Sequence, residues 1–397
     1  MAISNTERSR RSAQGGGFSL QNEAVRAIFW QVLVLGIVAL GIWYLVSNTI
    51  ANLEARRIAT GFGFLGREAG LPIGEAMIAY SPTDSYQRAL IVGLLNTLKV
   101  AVVGIVLATI LGTVIGIARL SKNWLLAKIA SAYVEVIRNT PLLLQLFLWY
   151  TLLQGLPGPR QAMKLGEGVF LSNRGIKVPW PVWDDLHVWV VGALAAGIVG
   201  AWVYTRNANA TQARTGKRPP VLLPNLGMMV ALPIVVWLAL GAPLVWDVPA
   251  LRGFNFVGGA TLTPEFAALT VGLVVYTAAF IAEIVRAGIL AVPKGQWEAA
   301  QAVGLHNNRI LNLVILPQAL RVIIPPLTSQ YLNLTKNSSL AVVIGYPDLV
   351  SVANTSINQT GQAVEVITIF MAVYLIISLA TSLLMNLYNR AVALKER

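Results

Sequence analysis

Few residues of this chain carry charge, and the ones set inside apolar stretches are those that could do chemistry. Glu283 lies near the end of the apolar run Glu265–Ile289, Lys336 lies within Val322–Ile344, and Lys99 within Leu90–Ala118. A medium that cannot solvate an ion forces it to find a partner or to serve a passing ligand, so such residues are functional candidates by default. Around Lys336 the chain reads Thr328, Ser329, Gln330, Asn333, Thr335, Asn337, Ser338 and Ser339, too polar for a lipid-facing helix. Gln330, Asn333 and Asn337 recur at helical spacing and either line a polar path or hydrogen-bond a neighbouring helix. Glu283 likewise has two readings: a carboxylate presented to a cationic group, or half of an ion pair with Arg286 one turn on. Lys336 either faces a path or pairs with a neighbouring helix.

Other chemistries lack their parts. Cysteine is absent, which excludes disulfides and thiolate metal sites. The two histidines, His187 and His306, are far apart and make no metal site. Asp184-Asp185 has no nucleophile or metal ligand beside it. The phosphate loop Gly-x4-Gly-Lys-Ser/Thr is missing; Gly216-Lys217-Arg218 lacks its hydroxyl residue and upstream glycine. Neither a bound cofactor nor catalysis is expected of this chain.

The elements that must position these residues are membrane spans. Of 397 residues, 56% are hydrophobic and 12% charged, about half the charge of a soluble domain. Runs of about 20 apolar residues are long enough to cross a bilayer, and eight are expected: Ala27–Ser47, Leu90–Ala118, Val134–Leu153, Val188–Tyr204, Leu226–Trp246, Glu265–Ile289, Val322–Ile344 and Val364–Leu387. The first is longer than a signal-peptide core and is read as an uncleaved anchor. An all-α integral membrane fold follows, with membrane lipid as its surroundings. The net charge of +13 does not point to nucleic acid, because the basic residues are scattered between spans rather than clustered with aromatics. Placing both termini in the cytoplasm puts nineteen of the 30 Lys and Arg inside and nine outside, the expected bias. The weak point is the outer 156–187 loop, with its four basic residues Arg160, Lys164, Arg174 and Lys177. Trp180, Trp183 and Trp189 read as an interfacial belt. Residues 1–26 form a cytoplasmic tail, Met1–Gly17 being Ser/Arg/Gly-rich and expected to be disordered. Asn48–Gln87 and Thr205–Pro220 read as loops, and Pro325-Pro326 is expected to kink or delay the seventh span.

Between the sixth and seventh spans lies Val292–Leu320. Pro293 suits a helix start and Gly304 a helix stop; Asn307, Asn308 and Arg309 restart a second helix that Pro317 interrupts. A short helix, a glycine turn and another short helix on the cytoplasmic face make a rigid projection suited to docking in a groove of another protein. Glu298-Ala299-Ala300, three residues, Gly304, nine residues, then Val314-Ile315-Leu316-Pro317 resembles the EAA loop of ABC importer permeases, with Val314 where Ile is usual. Asn96-Thr97-Leu98, Glu135–Pro141, Ala282–Gly288 and Leu334–Leu340 are similar to motifs of the polar amino acid permeases, the histidine, glutamine and general L-amino acid group. The resemblance covers about residues 90–155 and 264–390.

That resemblance implies a type I ABC importer transmembrane fold, a five-helix core within residues 90–390. An N-terminal span with an outer loop (27–89) and a 156–263 insertion with two helices supply three additional helices, a layout similar to the long permease of general L-amino acid transporters. It implies two copies of an ABC ATPase subunit using ATP-Mg, a second homologous permease, and a periplasmic amino acid binding protein. Glu298, Ala299, Ala300, Gly304, Leu316 and Pro317, within the loop 292–320, would contact the ATPase. An amino acid is a zwitterion, so Glu283 on one side, and Lys336 with Gln330, Asn333 and Asn337 on the other, are the path candidates. An ion-driven transporter or channel is the competing reading; it predicts inverted repeats, which are not evident.

Overall fold

The computed structural model describes residues 23–55, 60–217 and 219–392, and is helical wherever the chain is continuously apolar. Most of the tail 1–26, and Arg8, Arg10, Arg11, Arg56, Arg57, Arg218, Lys395 and Arg397 of the charge count, lie outside the described residues; the tail's last residues, from Glu23, already belong to the first helix. In chain order the helices before the insertion are α1 (Glu23–Ala55), α2 (Tyr86–Ala118), α3 (Trp124–Arg138) and α4 (Leu142–Gln154). The insertion carries strands β1 (Met163–Gly166), β2 (Val169–Ser172), β3 (Gly175–Val178) and β4 (Trp180–Pro181), then α5 (His187–Thr215), α6 (Leu222–Leu226) and α7 (Leu232–Ala239). It closes with β5 (Trp246–Asp247), β6 (Ala250–Arg252), β7 (Asn255–Val257) and β8 (Ala260–Leu262). After it come α8 (Pro264–Leu290), α9 (Lys294–Ala302), α10 (Asn307–Ile310), α11 (Leu316–Asn337), α12 (Leu349–Thr360) and α13 (Ala363–Val392).

Seven helices among the described residues are long and apolar enough to span a bilayer, and α4 is a shorter apolar helix. The third expected span is therefore two pieces. Pro141 has no N–H to donate and disfavours helix at Thr140, and the chain breaks between Arg138 and Leu142. At the later prolines the helix neither stops nor starts late. Helix α11 begins at Leu316, six residues before the expected start, and runs through Pro325 and Pro326. At Pro317 the helix widens to a π turn over Leu311–Ile315 rather than stopping, and another π turn, Gly227–Ala231, precedes Pro233. Widening the turn absorbs the carbonyl that proline leaves without a partner. Helix α5 continues to Thr215 and ends at Gly216 with φ 71°, so most of the expected Thr205–Pro220 loop is helical. The fifth run stops at Ala239, short of Trp246, where Gly241 and Ala242 turn the chain with positive φ.

The centre of the bundle is α2 against α8. Ala108, Gly112 and Gly116 on α2 face Ala278, Ile281, Ala282 and Val285 on α8. A Cβ on Gly116 would sit 2.7 Å from the carbonyl oxygen of Ala282. Small residues bring membrane helices close because lipid supplies no hydrophobic drive and packing must replace it. Leu269, Leu273, Ile281, Leu334 and Ile344 extend this core to α11 and the 3₁₀ turn Ser338–Ile344. The helical class is joined by short strands confined to the insertion. There β1-β2-β3-β8 form one antiparallel sheet, and β8 passes through Thr263 directly into α8.

Candidate functional site

The segment picked out at Val292–Leu320 is a helix–turn–helix, but its second helix is continuous with α11. Helix α9 starts after Pro293 and ends in a left-handed Gly304, φ 80°. The Leu305 N–H donates to Ala300 O (3.2 Å) and the Gly304 N–H to Gln301 O (2.8 Å). This pair of bonds satisfies the last carbonyls of the helix and requires the backbone conformation that glycine alone adopts freely. Ala300 is buried with Val292, Ile310, Ile315 and Ala319, with Trp297, Leu305 and Val314 packed alongside. Gln318 Nε2 donates to Gln296 Oε1 at 3.2 Å, tying α9 to the start of α11. Glu298, Ala299, Gly304 and Leu316 point outward and Pro317 is half-buried. So one face of α9 is fixed to the bundle, and the other, with small residues and a carboxylate that has no ion pair among the described residues, is open. Only Ala291–Pro293 separate α9 from α8, and α10 runs into α11, so a push on α9 acts on both long helices.

Glu283 is not free. Its carboxylate accepts from Arg286 Nη2 at 2.7 Å and from Arg119 Nη1, and Arg138 Nη1 lies 4.0 Å away. The sequence spacing found Arg286; Arg119, at the end of α2, and Arg138, at the end of α3, meet it only through the fold. The arrangement is a clamp joining α2, α3 and α8. Both carboxylate oxygens of Glu283 are thus engaged by guanidinium groups.

The candidates on α11 behave differently. Asn333 and Lys336 are exposed together with Val322, Pro325, Pro326 and Ser329, a stripe at helical spacing; Gln330 and Asn337 are half-buried at its edge. Among the described residues, none of Gln330, Asn333, Lys336 and Asn337 has a side-chain hydrogen bond or ion pair. The neighbouring Thr328, Thr335, Ser338 and Ser339 hydroxyls return to their own helix carbonyls. Among the described residues, the stripe holds polar groups that no other helix satisfies.

A second ionic contact was not anticipated. Lys99 Nζ lies 2.5 Å from Glu75 Oε1 and 4.2 Å over the Phe266 ring, and Glu75 Oε2 accepts from Thr263 Oγ1 at 2.6 Å. Asn96 Nδ2 donates to Glu75 O and Pro347 O. The segment 60–85, expected as a loop, is thus a strap across α2 and α8. Its first residues are pinned to α13: Gly61 N–H donates to Glu365 Oε1 at 2.7 Å. The Lys99 and Glu75 side chains are 24% and 11% exposed. Glu75→Gln is expected to destabilise by about 1–3 kcal/mol, because a half-desolvated ammonium loses its partner. Adding Lys99→Met should recover most of the loss. Thermal unfolding in detergent checks this, and a double variant no more stable than the single one would refute it.

No cluster of three or more His, Cys, Asp or Glu able to hold a metal occurs among the described residues.

Residues 216–397 match the model of the binding-protein-dependent transport system inner membrane component. The putative amino-acid ABC transporter permease protein YhdX of Escherichia coli is 52% identical over 98% of this chain and 99% of its own. The general L-amino acid transport system permease protein AapQ of Rhizobium johnstonii is 50% identical over 94% of this chain and 93% of its own. A solved amino acid ABC transporter with histidines, 24% identical, covers 77% of this chain and 95% of its own at a TM-score of 0.46. With half of all positions shared across nearly the full length of two such relatives, this multi-pass membrane protein belongs to the family of amino-acid ABC transporter permeases.

Proposed function

We propose that this chain is one of two homologous permeases in a heteromeric importer of polar L-amino acids across the bacterial inner membrane. In such systems ATP is used by a separate ATPase subunit, and a binding protein delivers the substrate. Here two ATPase copies with ATP-Mg work from the cytoplasm and an amino acid binding protein works from the periplasm. Both termini are cytoplasmic, consistent with the bias of Lys and Arg, so that α9 and Arg119 lie inside and the β sheet outside. The chain divides into a tail (1–26), an extra helix with its strap (27–89) and a permease core (90–390). The 156–263 insertion interrupts that core, and the coupling loop is 292–320.

One observation carries this reading. Helix α9 is fixed on one face and open on the other, and joins α8 to α11 with almost no slack. ATP-driven closure of the ATPase pair against Glu298, Ala299 and Gly304 would move α8 and α11 together, with Ala300 holding α9 to the bundle and Leu316 and Pro317 at the start of α11. Such a device biases the two orientations of the path only through different contacts in each. The unsatisfied stripe on α11, with Asn333 and Lys336, supports a path completed by the second permease. There Lys336 offers a cation to the substrate carboxylate, and Gln330 and Asn337 offer amides. Glu283 enters this reading as the inner clamp.

The test is copurification and transport. The chain should be isolated with an ATPase subunit and a second permease, and proteoliposomes holding all of them should accumulate amino acids only with ATP and the binding protein. Uptake driven by an ion gradient without the ATPase would overturn the assignment.

A further inference from the structure

Of the four basic residues that weakened the charge count, Lys164 and Lys177 lie on strands β1 and β3, and Arg160 and Arg174 lie in the turns beside them; among the described residues none has an acidic partner. Arg160, Gln161, Asn173, Arg174 and Phe254 line a cleft of about 350 Å³. The Arg160 guanidinium stacks 3.8 Å over the exposed Phe254 ring, which holds its donors at the rim. Asn173, which also lines the cleft, has a buried Oδ1 without a hydrogen-bond partner among the described residues. Beside the cleft, the register pairs Lys164 with Phe170 and Phe170 with Lys177; directly opposed residues share a sheet face, so the two lysines flank one aromatic ring. Burial holds the Lys177 ammonium below the ordinary lysine range. The ion pairs among the described residues include none of these four cations.

We propose that the Arg160–Arg174 cleft is a docking site for acidic side chains of the substrate-binding protein. This rests on the importer reading above, which puts the sheet on the outer face. A pair of guanidinium forks is suited to carboxylates, which they bind through two parallel hydrogen bonds. A protein is favoured over a lipid headgroup because apolar surface adjoins the charges. Edge strand β1 is exposed along its length, with Met163 and Leu165 49% and 61% accessible. An apolar patch beside a charged rim is the anatomy of a protein interface, and an open strand edge invites a partner. The sheet also has a mechanical route inward, since β8 continues through Thr263 into α8 and from there to α9. A receptor seated on the cleft would press on the same helix that the ATPase moves.

The experiment uses the whole transporter in nanodiscs, with ATP hydrolysis measured against binding-protein concentration at two salt concentrations. The double variant Arg160→Glu, Arg174→Glu should raise the half-saturating concentration by about tenfold or more and flatten its salt dependence, as removal of rim charges does. Hydrolysis without receptor, and the rate at saturating receptor, should be unchanged. An unaltered half-saturation would overturn the proposal. So would an effect that tracks the anionic lipid content of the disc, or one confined to the half-saturating concentration of free amino acid. If the wild type shows no stimulation by receptor at all, the importer reading itself fails; stimulation equal in wild type and variant refutes only the cleft.

Discussion

Replacing Gly304 by aspartate is expected to abolish ATP-driven uptake while the permease still inserts and folds. Gly304 holds φ 80° and a Cβ there meets nothing within 4 Å. The substitution therefore meets no clash within the chain. Its local cost is the left-handed backbone, roughly 1 kcal/mol for a residue with a side chain, which loosens the two bonds from Gly304 and Leu305 that close α9. The larger effect is at the contact. A carboxylate added at Gly304, exposed like Glu298, would bring a second negative charge to the surface proposed to meet the ATPase. Burying an unpaired charge at the centre of an interface typically costs about 2 kcal/mol or more, roughly a thirtyfold loss of affinity. Copurification of the ATPase and ATP-dependent uptake should fall together, while the thermal stability of the isolated permease shifts by only a few degrees. Glu298→Lys should weaken the contact through charge alone, with α9 intact. Full uptake by both variants would remove α9 from the coupling route.

What the sequence disclosed follows from the range of the forces involved. The spans and the α9 turn are local: apolar runs, a proline at a start and a glycine at a stop all act within a few residues, and their positions were legible. The break at Thr140-Pro141 was legible too, but the flanking leucines outweighed it in a reading based on apolar content. The prolines of α11 were read too severely, because a π turn and packing against α2, α8 and α13 hold the helix through them. The strands of the insertion are two to four residues long, too short for alternation to register. Helix α12 lies in a stretch with Asn354, Ser356, Asn358 and Gln359, and its amphipathic spacing was hidden by that polarity. The pairing of residues distant in sequence was not legible at all. Nothing near Glu283 announces Arg119, and nothing near Lys99 announces Glu75, because those contacts exist only once α2, α3 and α8 have packed and the strap 60–85 has crossed them. The candidate path on α11 was recognised by its polarity, but the exposure of Asn333 and Lys336, without a side-chain partner among the described residues, could come only from the fold.

Asp348 gives the second large effect, and its sign runs against ordinary acid sensitivity. It lies in the turn between α11 and α12, outside the spanning helices, fully buried, and caps α12 by accepting from the Ser351 N–H at 2.8 Å. Its other oxygen, Oδ2, has no hydrogen-bond partner among the described residues. Burial pushes this carboxyl up to about 7, although the amides it accepts from pull it down. In the unfolded chain an aspartate titrates near 4. The folded state therefore holds its proton at pH values where the unfolded state has lost it. Stability from this group is fully present below about pH 4 and is lost as pH rises to 7, a change of about 2–4 kcal/mol. Asparagine caps a helix as well as aspartate does and does not ionise. The Asp348→Asn variant should therefore be the more stable of the two at pH 8, by roughly 5 °C or more in the detergent-solubilised protein. The gap should close as pH falls toward 5. Comparing the two proteins cancels the pH dependence of every group they share. Asp348→Ala, which discards the cap, should gain less than asparagine at pH 8 and be the weaker of the two at pH 5. Parallel melting curves for wild type and Asp348→Asn across this range would mean that Asp348 remains ionised in the folded protein, its Oδ2 satisfied by a partner the packing does not supply.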